Sequence, residues 1–164
     1  MVSPVFLGKI GIRPLSGFAL SNSMPIIYRT SFVQLHHDPA GATLETEWLD
    51  FANSEQLRSS LLEALRLARQ HRVRGWVANN TLLRTIRPAD QDWINQEWFP
   101  EFAKLGVQRL AIVESQDALN RMAISTIMQR ASAHVPFDTH YFAEAEEARR
   151  WAASTGAPAP AAAK

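Results

Sequence analysis

The chain switches between two hydrophobic periods. Ile26 to His36 is rich in β-branched and aromatic residues, and Thr43 to Leu49 sets Leu44, Thr46 and Trp48 on one face against Glu45 and Glu47 on the other, the period of a strand. Asp38-Pro39-Ala40-Gly41 lies between them, with a Pro that presets φ and a Gly that accepts a left-handed backbone, so the two runs read as an antiparallel hairpin. From Ser54 to His71 the period becomes 3.6, with Leu57, Leu61, Leu65 and Ala68 on one stripe and an Asn53-x-x-Gln56 capping box in front. Such a helix must cover a sheet.

Val73 to Ala78 is apolar on both faces, as a buried parallel strand is, and runs into the polar turn Asn79-Asn80-Thr81. Pro88 suits the first position of a second helix, with Asp90 and Asp92 near its positive end, and Pro100 is expected to bend or end it. Gly106 precedes a second apolar strand, Val107 to Val113, and Ser115 reads as the cap of a helix carrying Leu119, Met122, Ala123, Ile127 and Ala131. Phe137 to Phe142 makes a last strand and Ala143 to Ala153 a last helix, with Glu146 and Arg150 spaced for an i,i+4 pair and Trp151 for docking. The order ββαβαβαβα predicts an α/β fold: a mainly parallel five-stranded sheet, an antiparallel N-terminal hairpin and about four helices.

Length and charge narrow this. A chain of 164 residues fits one domain, read here as 26–153, between an N-terminal segment 1–25 and an Ala/Pro tail 154–164 that both read as disordered or extended. Gly8, Gly11, Pro14 and Gly17 break the first segment too often for a secretory leader, and Met24 is an alternative start. The absence of cysteine excludes thiol chemistry and Cys-ligated zinc and suits a reducing compartment, so the cytoplasm is the expected location. A net charge of +1 offers no overall field for nucleic acid, and no apolar run reaches the roughly 18 to 20 residues of a membrane-spanning helix.

Catalytic and metal motifs are missing. His36, His37, His71, His134 and His140 show no metal-pair spacing, and adjacent strand residues such as His36 and His37 point to opposite faces. There is no Gly-x-Ser-x-Gly elbow and no glycine-rich phosphate loop, so neither a catalytic set, nor a metal, nor a cofactor is expected. Open α/β sheets place ligands beyond the carboxyl ends of their strands, which makes Asn79, Asn80 and Thr81, with Asp90 and Trp93 of the next helix, the expected partner- or ligand-binding residues. Trp93 and Trp98, five apart, cannot share one α-helical face, so one of them is expected to line a cleft or a dimer contact. Arg66, Arg69, Arg72, Arg74, Arg84 and Arg87 flank the central strand and suit an acidic protein surface.

Four stretches carry a family resemblance: Leu44-Glu45-Thr46-Glu47-Trp48, Gly75-Trp76-Val77-Ala78-Asn79-Asn80, Arg87-Pro88-Ala89-Asp90-Gln91-Asp92-Trp93-Ile94, and Gly106 to Val113. Together they resemble the STAS and SpoIIAA-like group of small bacterial proteins, the anti-sigma-factor-antagonist fold, which is sometimes grouped with lipid-binding domains. The resemblance implies a non-enzymatic regulatory module that docks a protein partner through the turn after the central strand, with a carrier or sensor of an apolar or lipid-like ligand as the alternative. In regulatory members a partner kinase phosphorylates a serine in an Asp-Ser-Ser-Gly-like segment at this turn. Here Asn79-Asn80-Thr81-Leu82-Leu83 takes its place, and Thr81 alone offers a hydroxyl for a kinase. A homodimer through an edge strand or an exposed Trp is also expected.

Overall fold

The computed structural model describes residues 24–133 and 135–155. The two terminal segments, apart from Met24, Pro25, Ser154 and Thr155, lie outside the described residues, as does His134.

Six strands form one sheet in the order β1-β2-β3-β4-β5-β6, one more than the sequence pattern predicts. The added strand comes from Ile26 to His36, which is not one strand but two, β1 (Ile26–Arg29) and β2 (Val33–Asp38). The cause is local: the Thr30 hydroxyl accepts from the N–H groups of Phe32 (3.2 Å) and Val33 (3.1 Å), closing a turn that folds β1 back on β2. With β3 (Thr43–Trp48) these strands make an antiparallel meander, while β3, β4 (Gly75–Asn79), β5 (Arg109–Val113) and β6 (Asp138–Phe142) are mutually parallel.

The strands step across the sheet in one direction, so successive crossovers of one hand lay their helices on one face. That face carries α1 (Ser54–His71), the run α2 (Pro88–Trp93) to α3 (Phe99–Ala103), and α4 (Ala118–Ala131), packed on Leu35, Leu44, Trp76, Leu110 and Ile112. The other face is covered by α5 (Ala145–Ala153) alone, whose Ala148 and Ala152 rest on Val77, Ala111 and Val113. Alanine lets the helix come close. A methyl group at Gly75 would lie 2.2 Å from the Ala152 carbonyl oxygen, so only glycine fits where β4 begins.

The run from Pro88 does not end at Pro100. Between α2 and α3 the residues Ile94–Trp98 form a π-helical turn, and the Phe99 N–H donates to the Ile94 carbonyl five residues back. The wider turn relieves the collision that a proline ring makes with the carbonyl four residues before it in an α-helix. It also changes the expectation for the tryptophans: with the hydrogen bond here spanning five residues and the turn widened, Trp93 and Trp98 both reach the core cluster. Trp98 is buried, donates from Nε1 to Leu61 O (2.9 Å), stacks on Phe102 at 4.8 Å and meets Trp76 edge-on at 5.8 Å. Trp93 is half-buried with the Arg58 guanidinium 5.3 Å from its ring centre.

Helix α4 corrects two further expectations. Asp117, not Ser115, caps it, accepting from the N–H groups of Leu119 (2.9 Å) and Asn120 (3.3 Å). Its buried stripe is Asn120, Ala123, Ile124, Ile127, Met128 and Ala131, and Leu119 and Met122 point outward at 64% and 67% exposure. In α5, Glu146 approaches Arg149 (3.8 Å) and makes no pair with Arg150.

The sheet's edges differ. β1 is four residues long, and its register against β2 slips between Ile26 and Tyr28, whereas β6 pairs without interruption from Asp138 to Phe142. Asp138 N–H donates to Gln108 O and Phe142 O accepts from Glu114 N–H, so the backbone groups of Thr139 and Tyr141 face outward.

Gly75→Ala is expected to lower unfolding free energy in urea by about 3 kcal/mol, because the added methyl meets backbone that cannot rotate away. A second expectation concerns pH. His37 stacks on His71 with ring centres 4.2 Å apart, and burial first, then His71, holds its imidazole below the ordinary value against a smaller opposing effect of Asp38. The unfolded chain therefore binds a proton that the folded one resists, so this contribution is present above pH 6.5 and is lost as pH falls through the folded pKa. Urea titrations between about pH 7.5 and 5 should show stability falling with pH, with a shallower slope in His37→Gln.

Candidate functional site

The turn after β4 is built from below. Asn79 ends the strand on the face that α5 covers, and its carboxamide is bonded at both ends: Nδ2 donates to Glu45 Oε1 (3.0 Å), while Oδ1 accepts from the Thr81 hydroxyl (2.7 Å) and N–H (3.3 Å). Glu45 is the deeper anchor. Its side chain is 0% exposed and receives Arg149 of α5 through Nε (2.6 Å) and Nη2 (2.9 Å). The paired carboxylate in turn holds the Arg149 guanidinium above its usual value, opposed by desolvation. A buried carboxylate without such partners would be strongly disfavoured.

Beyond Asn79 the chain stays pinned. Asn80 N–H donates to Val113 O (3.2 Å) and its carbonyl accepts from Leu83 N–H (3.0 Å). The Leu83 carbonyl is held by Ser115 Oγ (2.7 Å) and Asn120 Nδ2 (2.9 Å), and Asn120 Oδ1 accepts from Ile86 N–H (3.3 Å). Gln116 N–H donates to Thr81 O at 3.1 Å. Residues 80–86 therefore form a braced loop seated on α4.

Of the residues singled out in the sequence, Asn79, Asn80 and Thr81 come together in this loop. Asn79 and Asn80 are buried, and Thr81 is half-buried with its hydroxyl turned inward. Asp90 and Trp93 form a separate group around Arg58. Asp90 is buried, and its carboxylate takes the Ser54 hydroxyl (2.6 Å) and Arg58 Nε (2.8 Å), so it ties α2 to α1. The residues that sequence reasoning missed are Glu45, Arg149, Ser115 and Asn120. Asn120 left a readable signal, since it lies at positions −3, −4, −7 and −8 from Ala123, Ile124, Ile127 and Met128, on the stripe that faces the core.

The loop presents a distinct outer surface. Leu82 is half exposed, and it sits with Thr81, Arg84, Gln116 and Asp117 around a groove of about 300 Å³. Leu119 and Met122 are exposed on the first turns of α4, which Asp117 of the groove caps. Arg84 and Arg87 are exposed, and neither makes an ion pair with any described residue. Beneath the loop lies an apolar cavity of about 90 Å³ between the sheet and α1, the π turn and α4.

The site does not occupy a point where strand order reverses, because β3 to β6 run one way. Elsewhere, His36 and His37 diverge as strand neighbours do: His36 Nε2 meets Glu47 Oε2 (2.7 Å) and His37 packs on His71. Among the described residues no helix is long and apolar enough to cross a membrane. No protein-family model, curated protein or solved structure matches the chain.

The Glu45–Arg149 pair should behave as a unit. Arg149→Met, which strands a buried carboxylate, is expected to cost about 3 kcal/mol in denaturant unfolding, and the double variant Glu45→Leu/Arg149→Met should recover most of that loss.

Proposed function

We infer that this chain is a non-enzymatic protein-interaction module, of the STAS-like kind its sequence resembles, which docks a partner through the loop after β4. The observation that carries the reading is a braced loop with apolar residues turned out: Leu82 of the loop and Leu119 and Met122 of α4 face solvent, while polar Asn120 and Ser115 point inward and hold the loop at the Leu83 carbonyl. Inverting the usual placement in this way spends the interior hydrogen bonds on holding a contact surface in shape. Arg84 and Arg87, which make no ion pair with any described residue, favour a partner that offers carboxylates around an apolar residue.

In this reading the sequence-selected residues divide by role. Thr81 to Arg87 and the start of α4 make contact, and Asn79 and Asn80 shape the loop from inside. Phosphorylation of Thr81 would break its 2.7 Å bond to Asn79 and set a dianion near Gln116 and Asp117, loosening the loop and opposing an acidic partner. A lipid-like ligand fits less well, since the cavity beneath the loop holds about 90 Å³ and pockets for drug-sized molecules run to roughly 300–1,000 Å³.

The test is site-specific photocrosslinking in cells. A crosslinking residue at Leu82 should capture a defined protein that the same residue at the equally exposed Leu62 on α1 does not. Arg84→Glu/Arg87→Glu should weaken capture about tenfold or more, and Thr81→Glu should weaken it too. Equal capture from both positions, or indifference to the charge reversals, refutes the reading.

A further inference from the structure

The cavity beneath the loop is lined by a side-chain amide that bonds to no other described residue. Its walls are mostly apolar, formed among others by Leu57, Ile86, Ile94, Ile112 and Met128, and besides tryptophan indoles the polar side chains in the lining are Thr46 and Asn80. Thr46 is committed: its hydroxyl accepts from Trp76 Nε1 (3.3 Å) and donates to Val77 O (3.4 Å). Asn80 is not. It is 7% exposed, its backbone groups are taken by Val113 and Leu83, and its carboxamide makes no hydrogen bond to any described residue. The contrast with Asn79 next to it, whose amide is bonded at both ends, is sharp. An amide in a largely apolar wall that no protein group meets is left for water or a ligand to bond.

We propose that this cavity is a binding site for a small, uncharged amphiphile whose single carbonyl or hydroxyl group bonds to the Asn80 carboxamide. Size, charge and polarity each follow from the walls. A cavity of about 150 Å³ accepts benzene, roughly 25 Å³ per carbon, so about 90 Å³ accepts a body of three or four non-hydrogen atoms. No ionisable side chain lines the cavity, so a charged ligand would shed its water without a counter-charge. One amide offers two donors and an acceptor, enough for one polar head, while the remaining walls pack the apolar body. Short ketones, alcohols and primary amides are the chemical class. With so few atoms the dissociation constant can be no tighter than about 0.04–0.5 mM, which suits sensing an abundant small metabolite and not storing one. The inference stands independently of the docking surface, although Asn80, Leu83 and Ile86 form both the cavity's lining and the loop's underside.

The experiment titrates the full chain, with ¹⁵N-labelled side-chain amides and ¹³C-labelled methyl groups, with acetone and separately with 2-methylpropane, an apolar probe of the same size. Acetone should produce saturable shifts confined to the Asn80 amide and to the Ile86, Ile112 and Met128 methyl groups. Asn80→Leu should weaken acetone at least fivefold while leaving 2-methylpropane bound. Ala78→Val, which narrows the cavity without touching the amide, should weaken both, and it serves alone if Asn80→Leu does not fold. Shifts that stay linear to about 0.5 M, or an acetone midpoint unchanged by either substitution, overturn the proposal. So does a long-lived water at the Asn80 amide that persists under saturating acetone, since the amide then serves hydration.

Discussion

The Glu45 carboxylate is the constraint around which the α5 side of the sheet is arranged. A charge with no exposed surface in the middle of a sheet demands counter-charge and hydrogen bonds together, and three groups answer: two donors of Arg149 and one of Asn79. Meeting that demand fixes where α5 lies, because Arg149 must reach over β3 while Ala148 and Ala152 rest on β4 and β5. It also orients Asn79, whose remaining oxygen then holds Thr81. One buried charge thus links the last helix to the geometry of the central turn.

On the opposite face the organising force is apolar burial, and the π turn lets it reach completion. By displacing the helical period for one turn it brings Trp98, Phe99 and Phe102 onto the core together, with Trp76, Trp98 and Phe102 in mutual ring contact. The two faces therefore work differently. The α1–α4 side is thick, aromatic and almost free of charge, whereas the α5 side is a thin alanine contact fastened by an ion pair.

Much of the architecture was legible because period and punctuation speak locally. The Asn53–Gln56 capping box forms both of its bonds, the strand before Asn79 is parallel and buried, and α1 begins and ends where the pattern placed it. What escaped was long-range or depended on a few atoms. The Thr30 turn, which splits the first strand, rests on one hydroxyl. Glu45 lies in the alternation of an ordinary half-solvated strand, and nothing near it announces Arg149, 104 residues away. In α4, Leu119 and Met122 mimic a core stripe because hydrophobicity alone does not reveal that Asn120 will find two backbone partners inside. The address of the candidate site was readable from the strand–turn junction, but its surface was not, since Asn79 and Asn80 look inward and Leu82 looks outward.

The unequal edges of the sheet set a rule for self-assembly. A short strand with a slipped register makes a poor template, so β1 blunts one end of the sheet, and β6, regular and with the backbone groups of Thr139 and Tyr141 turned outward, meets no further strand among the described residues. Two copies joined through β6 would use up both available ends at once and leave only blunt ones. Among the described residues, pairing of that kind would be self-terminating: the ribbon would end in two blunt β1 edges, neither of them a template for a further copy.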